Sequence, residues 1–161
     1  MLEWLAAECA EGVHLRFTAS PAGLRAIDLR LDDPPQGEPA SGNRLIATAI
    51  EQMRAYFAGR LRQFDLPLDP QGTEFQLRVW RELETIPFGQ IRSYAQVAAA
   101  IGKPKAVRAV GAANGANPLP IVVPCHRVIG SSGKLVGYGG GLALKHRLLE
   151  LEGCTPAQFR F

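Results

Sequence analysis

Two S/T-x-x-Q patterns, Thr73-Glu74-Phe75-Gln76 and Ser93-Tyr94-Ala95-Gln96, divide the second half of the chain into short helices before any other signal is weighed. In each, a hydroxyl can accept from a first-turn backbone N–H while the glutamine reaches back, so both mark helix starts. The first helix carries Leu77, Trp80 and Leu83 and runs into Pro87 and Gly89. The second buries Tyr94, Val97, Ala98 and Ile101 and closes at Gly102 as a C′ residue. Pro104 then stands where a first helical residue belongs, and Val107, Val110, Gly111 and Asn114 follow at the spacing of one helical face. Two short helices joined by a tight glycine-containing turn predict a helix-turn-helix.

The first half reads differently. Val13 to Thr18 and Leu24 to Leu31 alternate apolar and polar residues around Ser20-Pro21-Ala22-Gly23, which predicts a β-hairpin. Asp32 to Gly42 is rich in Pro, Gly and acids and predicts an exposed loop. Leu45, Ala49, Met53 and Tyr56-Phe57 then mark one face of a helix ending at Gly59, and Leu66-Pro67-Leu68 reads as extended. We expect two domains, an α/β domain over residues 1–70 and a mostly helical one over residues 71–161.

Charge divides along the same line. Residues 1–70 carry ten acids against seven arginines, and the remainder holds the excess that brings the chain to +3. From Thr85 to Leu149 there is no Asp or Glu over 65 residues, yet Arg92, Lys103, Lys105, Arg108, Arg127, Lys134, Lys145 and Arg147 all fall there. Such a stretch is either a solvated basic face or a surface for a polyanion. Lys105, Arg108 and Ala112 line up on one side of the helix after Pro104, flanked by Ala109, Ala113, Gly115 and Ala116. An Ala-rich helix of good propensity would look the same, but small residues around one long cation also let a backbone approach a surface closely.

Three widely spaced cysteines, Cys9, Cys125 and Cys154, imply no disulfide framework. The acidic N-terminus lacks the basic region of a signal peptide, and no apolar run approaches the roughly 18 residues of a membrane span. The expected setting is soluble and cytoplasmic, with no membrane partner.

The chemistry concentrates after Asn117-Pro118. Ile121-Val122-Val123, between Pro120 and Pro124, predicts a short buried strand that delivers Cys125-His126-Arg127 to a turn. A thiol beside an imidazole and a guanidinium is expected to favour thiolate and serve as a nucleophile. Zinc is the other use of Cys and His, but neither Cys9/His14 nor Cys125/His126 has a usual zinc-site spacing, so no metal is expected. Gly137-Tyr138-Gly139-Gly140-Gly141 is either a plain surface turn or a loop whose backbone N–H groups contact a ligand. A last helix from Leu142 to Glu152 has Leu144, Leu148 and Leu151 as its packing stripe. Glu150 and Glu152 are the first acids after the empty stretch, each either a surface residue or the group that orients His126.

Pro124-Cys125-His126-Arg127-Val128 resembles the active-site signature of the O(6)-alkylguanine-DNA alkyltransferases. The resemblance extends in order through Phe75-Gln76, Val79-Trp80, Ile86-Pro87-Phe88-Gly89, Ser93-Tyr94, Lys105 to Gly111, Asn117-Pro118, Tyr138 to Gly141 and Glu152-Gly153. Before Gly72 it is weak. The resemblance implies single-turnover transfer of an alkyl group from the exocyclic oxygen of guanine, and of thymine, in duplex DNA to Cys125, after the base is flipped out. It implies that His126 acts through a water as base, Glu152 orients it, Asn117 braces the turn and Tyr94 protonates the departing guanine. Arg108 would fill the vacated stack, with Lys105, Ala109, Ala112, Arg127, Ser93 and Tyr94 at the DNA. Backbone groups of Cys125, Val128, Tyr138, Gly139 and Gly140 would recognise the guanine edge. It further implies minor-groove entry by the helix-turn-helix, a monomer, and no metal or diffusible cofactor. The implied fold is a ribonuclease-H-like α/β part followed by a winged-helix-like domain. A non-catalytic damage-binding relative would lack Cys125, a helix-turn-helix regulator would need no Cys-His-Arg turn, and a cysteine hydrolase would need no acid-free basic face.

Overall fold

Alternating apolar residues at Val13, Leu15, Phe17 and Ala19, all buried, make Val13–Ser20 the centre of a sheet rather than its edge. In the computed structural model, which describes residues 1–133, 135 and 137–154, the chain forms two compact units, Met1–Gln71 and Gly72–Phe161. Lys134, one of the cations of the acid-free stretch, lies outside the described residues.

In the first unit β1 (Glu3–Ala10), β2 (Val13–Ser20), β3 (Gly23–Asp28) and the two-residue β4 (Glu38–Pro39) form one sheet in the order β3-β2-β1-β4. The expected hairpin is β2–β3, its register closing at Ser20↔Gly23 around Pro21-Ala22. Two corrections apply to it. β3 stops at Asp28 rather than Leu31, and β2 has a second antiparallel neighbour, β1, which the sequence did not announce. Glu-Trp-Leu-Ala-Ala-Glu-Cys-Ala has no clean alternation because β1 buries little besides Cys9, and its pairing is satisfied by backbone bonds to β2. The acidic loop contributes β4, which pairs parallel to β1.

α1 (Arg44–Phe57) is capped by the Asn43 side chain, which accepts from the Ile46 N–H at 3.1 Å. It buries Ile46, Ala49, Ile50, Met53 and Tyr56 and packs on β1, β2 and β3. Gly59, at φ 75°, closes it as a Schellman turn in which Gly59 N–H donates to Tyr56 O and Arg60 N–H to Ala55 O. The Leu66-Pro67-Leu68 segment is extended as expected and docks beside β3, with Leu24 N–H donating to Pro67 O and Asp69 N–H to Leu24 O, both at 2.8 Å.

In the second unit α2 (Glu74–Leu83) and α3 (Tyr94–Ala100) each begin with the complete capping box, and Gly102 ends α3 in the left-handed conformation. The next helix departs from expectation. Lys103 to Ala106 is a turn closed by Ala106 N–H to Lys103 O, with Pro104 at its second position, where a fixed φ suits a turn as well as a helix start. α4 (Val107–Gly115) therefore begins later, Lys105 precedes it, and the buried face is Val110, Ala113 and Asn114 while Val107 is exposed. Trp80 ties α2 to α4 by donating its indole N–H to Ala113 O at 2.8 Å.

Ile121-Val122-Val123 is not a strand. Pro120 and Val123 face each other across a turn in which Ile121 takes φ 75°, rare for a β-branched side chain. Prolines on both sides remove ladder donors, and Val123 N–H bonds back to Leu119 O instead. The ladder comes later, β6 (Val128–Ile129) pairing parallel with β5 (Arg92–Ser93) before α5 (Leu142–Leu151) closes the unit. α5 buries Lys145, Leu148 and Leu149, not the stripe Leu144, Leu148 and Leu151.

A Cβ on Gly23 would lie 2.8 Å from Pro67 O, where neither backbone can yield. We expect Gly23→Ala to cost about 1–3 kcal/mol of stability, read as a lower urea midpoint at unchanged slope.

Candidate active site

Cys125–Arg127 form a 3₁₀ turn between the Pro120–Val123 turn and β6, and all three residues are buried. Asn117 bonds along the approach to the turn: its amide donates to Val123 O at 2.8 Å and its Oδ1 accepts from Leu119 N–H at 3.0 Å.

His126 and Glu152 meet with Nε2 and Oε2 2.8 Å apart, both side chains wholly buried. Glu150 is exposed and pairs with His146, so of the two candidate acids Glu152 is the partner of the imidazole. Burial pulls the His126 pKa down despite that carboxylate, which leaves a neutral ring. With Nε2 donating to Glu152, Nδ1 carries the lone pair, and it has no protein partner among the described residues. The ring therefore keeps an unprotonated Nδ1 inside the site.

Arg127 does something the sequence did not predict. Its guanidinium binds both oxygens of Glu152, at 2.7 Å and 3.0 Å, donates to Ile86 O at 2.7 Å and lies over the Phe88 ring. It is inside the unit, its nitrogens are engaged, and it does not belong with the DNA-facing residues. For the same reason it does not activate the thiol. Burial pushes the Cys125 pKa up, against the opposing pull of Asn117, Lys145 and the local backbone N–H groups. The resting nucleophile is a thiol that needs a base, a correction to the expected standing thiolate.

Two buried residues were missed. Lys145, wholly buried, donates to Val128 O at 2.8 Å; burial lowers its pKa to about 8, and Cys125 lies within its electrostatic reach. A lysine three and four residues before Leu148 and Leu149 was the available signal, obscured by counting it among surface cations. Asn114 donates its amide to Cys125 O at 3.3 Å from the buried face of α4.

Tyr94 is half-buried at the start of α3, and burial and the neighbouring Cys125 raise its pKa against the opposing pull of Asn114. Tyr138 buries its hydroxyl without a protein partner among the described residues, and burial, Cys125 and Glu152 hold its pKa well above the usual phenol range. Gly139 and Gly140 form the turn before α5, closed by Gly141 N–H to Tyr138 O at 2.9 Å. Val128 is fully buried, its N–H bonded to Cys125 O and its carbonyl accepting from Lys145. Ser93 uses its hydroxyl to cap α3. Lys105, Arg108, Ala109 and Ala112 are exposed together, whereas Ala113 of the same predicted face is buried. No group of three metal-ligating side chains occurs among the described residues.

Burial works against ionisation of Glu152, but hydrogen bonds and charges from His126 and Arg127 prevail and hold its pKa at about 2. A depressed carboxylate contributes stability that is present above its unfolded pKa and lost as pH falls from the ordinary value toward about 2. We expect Glu152→Gln to abolish that acid-sensitive component and, by stranding Arg127, to cost about 3–5 kcal/mol at neutral pH, measured by denaturant melts across pH.

Residues 74–154 match the family model described as 6-O-methylguanine DNA methyltransferase, DNA binding domain. The methylated-DNA–protein-cysteine methyltransferase of Mycolicibacterium paratuberculosis is 52% identical over 152 residues, spanning 87% of this chain and 92% of that protein. Its namesake from Methanosarcina barkeri is 57% identical over 135 residues, 81% of this chain and 84% of that one. The crystal structure of Mycobacterium tuberculosis O6-methylguanine methyltransferase matches with a TM-score of 0.86 at 44% identity, covering 98% of this chain and 96% of its own. The Mycobacterium tuberculosis OGT in complex with DNA matches at 0.86 and 46%, covering 93% and 92%. Likeness of this order along nearly the whole chain leaves one assignment: the protein belongs to the methylated-DNA–protein-cysteine methyltransferase family.

Proposed function

We propose that this protein repairs duplex DNA by moving a methyl or larger alkyl group from the exocyclic oxygen of guanine, and of thymine, to the sulfur of Cys125, once per molecule. The observation that carries the reading is the buried His126–Glu152 pair, which leaves Nδ1 as a base next to a thiol that burial keeps protonated.

The reacting carbon lies inside the helix, so the nucleotide is flipped out, at a cost of a few kcal/mol that damage reduces. Through a bridging water, Nδ1 of His126 takes the thiol proton, and Glu152 stabilises the imidazolium that forms. The thiolate attacks the alkyl carbon, the carbon–sulfur bond forms as the carbon–oxygen bond breaks, and the electron pair leaves with the base. Tyr94 donates its phenolic proton to that departing base, so no bare anion is released. A thioether has no hydrolytic exit, which limits each molecule to one event. No metal or diffusible cofactor takes part.

Entry to the duplex is assigned to α3 and α4. Arg108 fills the gap left by the flipped base, with Lys105, Ala109, Ala112 and Ser93 around it. Small exposed side chains beside one long cation suit the narrow minor groove. The flipped base is recognised by backbone groups of Cys125 and of the Tyr138-Gly139-Gly140 turn. We assign residues 1–70 as an α/β domain of ribonuclease-H-like arrangement, supported by the antiparallel β3-β2-β1 part of its mixed sheet with α1 packed on it, and residues 71–161 as the winged-helix-like DNA-binding and acceptor domain. The protein acts as a monomer in the cytoplasm.

Incubation with duplex DNA bearing methylated guanine is expected to add one methyl mass to the peptide containing Cys125, in a one-to-one burst. Label on Cys9 or Cys154, or repeated turnover, would contradict the assignment. Arg108→Ala is expected to slow repair of duplex DNA by at least about tenfold while slowing reaction with free benzylguanine much less. Equal losses on the two substrates would remove Arg108 from the flipping role.

A further inference from the structure

The carbonyl of Cys125 accepts twice within the protein, from the Val128 N–H and from Nδ2 of Asn114, the latter at 3.3 Å. Beside it stands an acceptor with no donor. A carbonyl only accepts, so the end of the Asn114 amide that faces Cys125 is its NH₂ end, and the other end is Oδ1. Oδ1 is buried and has no hydrogen-bond partner among the described residues. Asn114 and Cys125 are each 5% exposed, so a base that reaches the sulfur has reached the depth of the amide. One turn earlier on the same face of α4, a Cβ on Gly111 would stand 4.0 Å from Tyr94 Cδ1. One face of α4 thus meets both the turn that carries the nucleophile and the ring assigned as the acid.

A buried acceptor without a donor is costly, and an apolar side chain of similar volume would fill the place without that cost. We propose that Asn114 Oδ1 accepts a hydrogen bond from the exocyclic amino group of the flipped guanine, a specificity-determining contact that rests on the reaction assigned above and adds a side chain to the backbone groups named there. Alkylation of the exocyclic oxygen leaves the adjacent ring nitrogen without a proton. The amino group is then the one donor on the edge of the base that carries the reacting carbon, and what it needs from the protein is an acceptor. The bond from Nδ2 to the Cys125 carbonyl fixes which way the amide faces, so Oδ1 needs no reorientation when the base arrives. A guanine supplies the missing donor. A base without the amino group leaves the buried oxygen unpaired, and sites built in this way reject such an analogue strongly.

The test is single-turnover methyl transfer to Cys125 from two duplexes that differ by one group. One carries guanine methylated on its exocyclic oxygen, and the other hypoxanthine methylated on the same oxygen, which lacks the amino group. The wild-type chain is expected to react at least about tenfold faster with the guanine duplex. In Asn114→Leu that preference is expected to shrink to no more than about twofold, whatever happens to the absolute rates. Any difference in the cost of flipping the two bases is common to both chains and cancels in the comparison. A variant slowed equally on the two duplexes keeps the wild-type preference; Asn114 would then act only through the Cys125 turn, and the proposal would fall. Equal rates on the two duplexes in the wild-type chain would overturn it without any variant. Where the leucine variant loses its near-ultraviolet circular dichroism, Asn114→Ala, which opens space instead of filling it, is read by the same ratio. Failure of the wild-type chain to alkylate Cys125 from either duplex would instead overturn the function assigned to the whole site, and this contact with it.

Discussion

The carboxylate of Glu152 is held by two consecutive residues at once, accepting from His126 on one oxygen and from Arg127 on both. Three segments distant in sequence meet there. Glu152 is the C-cap of α5, His126 and Arg127 are the turn that carries the nucleophile, and Arg127 continues to Ile86 O in the segment after α2. Gly89 passes close enough that a Cβ there would lie 3.1 Å from Glu152 O, at a φ of 82°. Lys145, two turns earlier on α5, reaches Val128 O just beyond the same turn. One helix thus grips the Cys125 segment from both sides by charged groups that are out of water. Buried ion pairs of this kind are poor net sources of stability because desolvation offsets their attraction. Their consequence is geometric: the turn has one position in which every charge is satisfied, and the thiol is presented there.

The same burial decides the chemistry. In isolation, Cys125-His126-Arg127 suggests a cationic setting that stabilises a thiolate. In the folded unit Arg127 is neutralised by an acid 25 residues away, His126 is kept neutral by desolvation, and the thiol pKa rises. In the proposed reaction a base must remove that proton, and His126 has one ring nitrogen committed to Glu152 and the other without a protein partner among the described residues.

Legibility followed interaction range. The capping boxes at Thr73 and Ser93, α1 with its Asn43 cap and glycine closure and the β2–β3 hairpin are made of contacts within a few residues, so their signals survive in one dimension. β1 is held by backbone pairing to β2, to which side-chain alternation adds little. Pro104 fits both a helix start and a turn, and the choice was made by the Gly102 closure that precedes it. Ile121 reads as strand by composition, but flanking prolines and the Asn117 bonds bend it into a turn with φ 75°. Within the site, Cys125, His126 and Glu152 were legible from their motif. Lys145 and Asn114 were not, since only the packing of α5 and α4 buries them beside the thiol.

The order of residues alone determined that the chain has an acidic first part and a basic, acid-free second part, that short capped helices precede a Cys-His-Arg turn, and that a family signature surrounds it. Those properties belong to composition and local hydrogen bonding, which neighbouring residues settle among themselves. Tertiary structure decided which cations face solvent and which are buried: Arg108 and Lys105 are exposed, while Arg127 and Lys145 are enclosed. It also decided which of two acids pairs with His126, and that the Asn114 amide donates to the Cys125 carbonyl. The reason is that charge and proton position respond to burial and to partners brought from far along the chain, and neither is written in the spacing of the residues themselves.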